Sequence, residues 1–302
     1  MHVDVYNRRS IMSFTQIFQS LVGGLLIGGV YSLVAIGLTI IYGVLKIVNF
    51  AHGDFLMLAM YLAFFSYTLL NIDPYLMAFV ALPLFFVFGV FIYKLIIQPI
   101  VEKGEEHIQI LLTMGLAWVL QNIVLYFFGP DYRSLRLPYG DITLSIGNVY
   151  FPLTKIIACG GAVICTLLVH LLFKKTKLGK AIRAAAQEPW AAYMVGINVQ
   201  RIYYISFAIG ICCVSIAGFL VIPFFYTSPL AGAQFTLIAF VVVVLGGLGS
   251  FAGALICGFL VGLVEGIGSA FLPGSYQELV VFSVFILILL FKPSGIFVRN
   301  NG

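Results

Sequence analysis

Charge is scarce in this sequence: only 9% of its residues are Asp, Glu, Lys or Arg, against roughly a quarter in ordinary soluble domains. The scarcity is also uneven. From Ser10 to Leu45 there is no charged side chain, and from Ile202 to Val264 there is neither a charge nor a histidine. A soluble surface cannot be built from such runs. The four histidines, His2, His52, His107 and His170, are scattered, and no HExxH, GxSxG or Walker A pattern occurs. No catalytic residue and no metal site is expected. The stretch GGLGS is rich in glycine but lacks the Lys and Ser/Thr of a nucleotide loop, so any ATP-driven work needs an ATPase on another chain. Cys159, Cys165, Cys212, Cys213 and Cys257 all lie inside apolar runs, with neither a disulfide framework nor metal-ligand spacing. They read as small buried hydrophobes. The net charge of +5 does not point to nucleic acid, because the basic residues gather at the edge of an apolar run, where membrane anchoring accounts for them.

What is present is hydrophobic: 62% of the chain, arranged in runs long enough to cross a bilayer, which takes about 20 apolar residues. Apolar spans are predicted near 17–45, 54–70, 75–97, 108–128, 152–173, 203–223, 234–246, 251–271 and 277–291. The fold class is therefore an all-α polytopic membrane protein with about eight to ten transmembrane or re-entrant helices, read as one domain over 1–302. The first span is long and several others are short, which predicts tilted or interrupted helices. The polar start MHVDVYNRRS resembles a signal-peptide head, but the following run is too long and closes on no cleavage site, so it is expected to stay as a helix.

Orientation follows from residues 174–200, KKTKLGKAIRAAAQEPWAAYMVGINVQ, which carry Lys174, Lys175, Lys177, Lys180 and Arg183 against one acid, Glu188. The positive-inside rule places this loop in the cytoplasm. Counting spans from it puts 98–107 and the C-terminus inside, and 129–150 and the N-terminus outside. Arg8 and Arg9 pull against an exterior N-terminus, and a re-entrant segment would change the parity. Within the loop, KAIRAAAQE favours helix, Pro189 starts a second short helix, and Gly196 with Asn198 is expected to end it. Its alanines offer a surface between two compact turns that suits docking to a partner, with an amphipathic connector lying on the bilayer as the simpler reading.

Two interruptions stand out. NFAHGD, residues 49–54, breaks the apolar run after a glycine-rich helix, and GGLGSFAG, residues 246–253, breaks a second one. Non-helical backbone at membrane depth is tolerated only against protein or a wet cavity, and paired broken helices point to a transport path. The two breaks are candidates for a degenerate internal repeat. Asn49, His52 and Asp54 are candidate pathway or gate residues, as are Gly246, Gly247 and Gly249. The plainer alternative makes Asn49 and Asp54 helix caps in a loop at the membrane surface. Glu265 interrupts another glycine-spaced helix and needs a partner or water; Lys46 and Lys155 are expected to snorkel to opposite faces.

The chain resembles the LivH type of permease subunit of bacterial ABC importers for branched-chain amino acids. The resemblance is carried by GGVYSLVAIGLTIIYGVLKIVNFAHGD, GKAIRAAAQEPWAAYMVGINVQRIYYISFAIG and VLGGLGSFAGALICGFLVGLVE, whose order and spacing extend over nearly the whole sequence. It implies an inner-membrane subunit paired with a LivM-like second permease, two cytoplasmic ATPases that bind ATP and Mg, and a periplasmic amino-acid-binding protein. It also implies that the loop from Gly179 to Gly196, with Arg183, Ala186, Gln187 and Glu188, engages an ATPase. Pro189 departs from the charged residue common in relatives and puts the form of the helix break in doubt. Alternating access driven by the partner ATPases is the implied mechanism. A permease for urea or short amides, an autonomous channel or secondary transporter, and a membrane scaffold are the competing readings.

Overall fold

The computed structural model describes residues 14–101, 106–147, 149–272, 276–293 and 295–297. The expectations for the N-terminal side, Arg8, Arg9 and the core of the 98–107 loop lie outside the described residues, as does the side chain of His107. Twelve α-helices occur among the described residues. They are α1 (Phe14–Leu45), α2 (His52–Leu70), α3 (Pro74–Ile92), α4 (Gln98–Val101), α5 (Glu106–Phe128), α6 (Leu153–Lys175), α7 (Lys177–Gln187), α8 (Pro189–Met194), α9 (Val199–Val221), α10 (Ala231–Gly246), α11 (Phe251–Phe271) and α12 (Gln277–Phe291). Seven of the apolar segments are long enough to cross a membrane, and α10 and α12 are shorter apolar helices. The protein is a multi-pass membrane bundle.

The long first span is one continuous helix, α1, of 32 residues. At 1.5 Å per residue it is about 48 Å long, well beyond a hydrocarbon layer of about 30 Å. It is the central post, with most of its length buried. The expected interruption of a span is found in the third, where Pro83 sits inside α3 and a π-helical turn, Tyr93–Ile97, follows it.

Small residues set the tightest packing. Gly24, Gly28 and Ser32 on α1 recur every fourth residue and face Gly258, Gly262 and Gly266 on α11. A methyl group on Gly262 would come 2.5 Å from the Gly28 Cα, so the two backbones touch where any side chain would hold them apart. Ser32 Oγ donates to the Leu255 carbonyl at 2.8 Å and ties the same seam. Elsewhere Gly89 on α3 lies against Ala208 on α9, and Gly29 lies against Cys159 on α6. Cys212, Cys213 and Cys257 are buried as expected, whereas Cys159 and Cys165 on α6 are only half-buried.

One end of the bundle carries a small element that the helix reading passed over. Strands β1 (Thr143–Ile146) and β2 (Val149–Pro152) pair as an antiparallel hairpin. The Tyr150 backbone exchanges hydrogen bonds with the Gln19 side chain and pins the hairpin to the start of α1. Nearby, Asp73 caps α3 by accepting from Tyr75 N at 2.9 Å, and its other oxygen accepts from the Tyr139 hydroxyl. Burial, and next that carboxylate, raise the Tyr139 phenol above its usual range.

Candidate functional site

The first break lies three residues earlier than the sequence suggested. Helix α2 begins at His52, so His52 and Asp54 are helical residues, and the non-helical segment is 46–51. Lys46 turns the chain with a φ of 58°, and the segment runs back along α1. His52 Nε2 then donates to the Val34 carbonyl at 3.0 Å, eleven positions before α1 ends. By helical rise that is about 16 Å inside the end of α1. The first turn of α2 therefore sits within the bundle.

The backbone of this segment is largely satisfied by protein, as a water-free setting demands. Lys46 N donates to the Tyr42 carbonyl at 2.9 Å. Asn49 Oδ1 accepts from Ala51 N at 3.1 Å, and Thr113 Oγ1 on α5 donates to the Val48 carbonyl at 3.2 Å. Gly53 N donates to Thr236 Oγ1 on α10 at 2.8 Å. Neither Asn49 nor Asp54 caps α2, contrary to the capping expectation: its N-cap position is Ala51, with no side-chain hydrogen bond. Asn49 closes a local turn instead. Asp54 Oδ1 accepts from Gln121 Nε2 on α5 at 2.9 Å.

Asn49, His52 and Asp54 each have 0% exposure. Each also keeps one buried polar atom with no partner in the protein: Asn49 Nδ2, His52 Nδ1 and Asp54 Oδ2. Buried polar groups are nearly always paired, so these three spare atoms stand out, alongside seven others among the described residues on Thr39, Tyr61, Arg133, Thr166, Ser206, Ser215 and Thr227. The helices that close around the turn are α1, α2, α5 and α10. Gln121, the partner of Asp54, also lines an open cavity of about 180 Å³ with Ser228 and Tyr132.

The second break lies apart from this polar turn. Helix α10 ends at Gly246 and α11 begins at Phe251, leaving residues 247–250 as the connection. Gly247 and Gly249 adopt φ values of 89° and 85°, a region that side chains disfavour. Ser250 Oγ accepts from Gly253 N at 3.1 Å and caps α11. A Cβ at Gly43, near the end of α1, would reach Gly249 at 3.7 Å, which places this turn at the α7 end of the bundle. The structure thus separates Gly246, Gly247 and Gly249 from Asn49, His52 and Asp54.

Glu265 is separate again. It lies beside Tyr31 and shares with Lys155, Gln19 and Gln277 the lining of a cavity of about 310 Å³. Its neighbour Gly266 packs on Gly24, nineteen positions along α1 from Gly43. By helical rise the two ends of that interval are about 28 Å apart, so Glu265 belongs to the hairpin end. Lys46 lies 5.7 Å from the centre of the Tyr42 ring, and Lys155 lies 5.9 Å from that of Phe224.

Residues 174–200 fold as a helix–turn–helix of the expected kind. Thr176 caps α7 by accepting from Gly179 N at 3.0 Å, and a Cβ on Gly179 would strike the Phe173 Cα at 2.5 Å, so glycine is what lets α7 turn directly off α6. Ile182 and Ala185 are buried, and Arg183 donates to the Phe173 carbonyl. Pro189 does start α8. Gly196 follows the end of α8, whereas Asn198 begins α9 by accepting from Arg201 N at 2.9 Å, which corrects the expectation that both residues terminate α8. The alanine surface is also corrected: Ala185 packs inward and Ala186 is half-buried. The outward face is made by Gln187, Glu188, Trp190, Tyr193 and Met194. Trp190 and Tyr193 stack with ring centres 6.4 Å apart.

Sequence reasoning missed Gln121, Thr113 and Thr236. Gln121 had a signal, since GlnAsn interrupts an apolar span; the threonines had none, because a threonine inside a helix is unremarkable. Among the described residues no group of three His, Cys, Asp or Glu side chains is placed to hold a metal ion.

Comparison with known proteins fits this architecture. The family described as "Branched-chain amino acid transport system / permease component" matches residues 20–289. The high-affinity branched-chain amino acid transport system permease protein BraD of Pseudomonas aeruginosa is 33% identical, over 93% of this chain and 95% of that protein. The corresponding LivH protein of Escherichia coli is 31% identical, over 95% of this chain and 97% of its own length. A probable LivH of Methanocaldococcus jannaschii is 29% identical, over 91% and 90%. No solved structure matches the chain.

Proposed function

The chain belongs to the family of branched-chain amino acid transport system permease components, and from that membership we propose that it is the permease subunit of an ATP-driven importer of branched-chain amino acids. In this reading residues 1–302 form one permease domain of the bacterial inner membrane. It pairs with a LivM-like second permease, two cytoplasmic ABC ATPases and a periplasmic binding protein. The chain is a transport subunit: ATP and Mg belong to the partner ATPases.

The observation that carries the proposal is the polar turn of Asn49, His52 and Asp54, enclosed within a membrane bundle and left with three unpaired polar atoms. A zwitterion crossing the bilayer needs such groups to replace part of its hydration. Asp54, hydrogen-bonded to Gln121, would suit the ammonium group. Its site must bind differently in the inward and outward states for the cycle to advance. The loop from Gly179 to Gly196 would transmit the ATPase motion. Buried Ile182 and Ala185 fix α7 to the bundle, while Gln187, Glu188, Trp190 and Tyr193 present a face to a partner. Gly246, Gly247 and Gly249 would permit bending between α10 and α11 close to that loop, and Glu265 would belong to the opposite entrance.

Reconstitution with the partner permease, ATPases and binding protein in liposomes tests this directly, by ATP-dependent uptake of radiolabelled leucine beside urea. Leucine uptake that requires every component is the expected result. Urea uptake alone would move the substrate and keep the machine; leucine uptake by this chain without an ATPase would overturn the importer.

A further inference from the structure

A second cavity, of about 410 Å³, opens at the α7 end between α1, α6, α7 and the start of α11. Its walls are mainly apolar, including Ile40, Val44, Phe173 and Phe251, while His170, Lys174 and Arg183 stand around it. No acidic residue is among those that line it. Thr39 on α1 also lines the cavity, is only 3% exposed, and leaves its hydroxyl without a partner. An apolar chamber with a basic rim and a spare hydroxyl is complementary to an anionic amphiphile.

The surroundings select a lipid over a soluble ion. Helix α6, which forms one wall, has only 17% of its most apolar window buried, the lowest share of the seven spans, so most of its apolar surface is left uncovered by this chain. Its other flank borders a nearly wholly apolar cleft of about 680 Å³ shared with α3 and α9. Basic pockets between membrane helices at the interface bind lipid headgroups, and Lys and Arg near the surface attract anionic ones.

We propose that the α1–α6–α7 cavity is a binding site for an anionic phospholipid, with the phosphate held by Lys174, Arg183 and His170 and one acyl chain in the apolar chamber. Such a lipid would bridge α7 to Gly249 in the connection before α11 and so set how firmly the helix–turn–helix is held to the bundle. The assignment stands apart from the transported solute and from the direction of transport.

The test uses the full chain purified from membranes, with a phosphatidylglycerol carrying a photoreactive acyl chain, a phosphatidylcholine of the same chains, and inorganic phosphate as competitor. The expected result is labelling of peptides containing Phe173 and Phe251, favouring phosphatidylglycerol by about ten-fold. Phosphate at millimolar concentration should leave it in place. Lys174→Gln with His170→Gln should reduce that preference to the phosphatidylcholine level; both positions lie outside the residues assigned to coupling, and normal elution on gel filtration verifies that the variant is folded. Equal labelling by both lipids, or labelling confined to the α3–α6–α9 cleft, would overturn the site. Full displacement by inorganic phosphate would reassign it to a soluble anion. Protection of the cavity from lipid in the assembled complex but not in the isolated chain would assign it to a partner subunit.

Discussion

The two breaks share a pattern in the sequence, apolar helix, polar or glycine interruption and apolar helix, yet they are built to opposite ends. Residues 247–250 make a short connection between α10 and α11, and a Cβ at Gly246 would meet the Gly253 carbonyl carbon at 2.5 Å, so the helices leave the turn in direct contact. Residues 46–51 contain no glycine and return into the bundle, where α2 starts against α5 and α10. The difference teaches that an interruption becomes a polar site only when the chain re-enters. The glycine break is a mechanical corner; the re-entrant one places side chains at depth. The proposed internal repeat therefore has no counterpart in shared local conformation.

The largest expected effect falls on the corner. Gly253→Val would force backbone against backbone and should destabilise the protein by about 3 kcal/mol, the upper range for overpacking. Thermal unfolding of purified protein in detergent measures this, and an unchanged midpoint would show that the α10–α11 contact is loose. Next, Asp54→Asn keeps an acceptor for Gln121 but removes the charge. Folding should be nearly unaffected, while leucine uptake by the reconstituted importer falls by about ten-fold, equivalent to about 1.4 kcal/mol. Uptake at the original rate would leave the re-entrant turn a structural feature only.

Smaller changes sharpen the contrast in backbone conformation. Gly249→Ala places a side chain at a φ of 85° and should cost about 1 kcal/mol in the same unfolding assay. Lys46→Gly, at a φ of 58°, removes a comparable strain but adds freedom to the unfolded chain, so the net shift should stay within about 0.5 kcal/mol. Equal responses at the two positions would erase the distinction between a glycine corner and a lysine turn.

Much of this was legible in linear order. Apolar runs located the spans because each must supply its own backbone hydrogen bonds in lipid, and Pro189 and Gly196 marked the start and end of the second helix of the helix–turn–helix by turn chemistry. The polar turn was legible only as unusual composition. Its neighbours come from residues 67 and 183 positions away, Gln121 for Asp54 and Thr236 for Gly53, and no local periodicity encodes such a pairing. The outward face of α8 was likewise misread, since alanines in a helix do not announce which side packs inward.

By itself, then, the sequence determined that this chain crosses a membrane repeatedly, that it breaks near residues 50 and 248, and which loop is basic, because hydrophobicity, glycine and charge act locally. Only the tertiary structure decided that Asn49, His52 and Asp54 lie within the bundle, that the glycine break lies at its end, and that Glu265 lies at the other. Depth along α1 is a relation between helices, set by the seam of Gly24, Gly28 and Ser32 against α11 and by the re-entry of residues 46–51, and it exists only once those surfaces have packed.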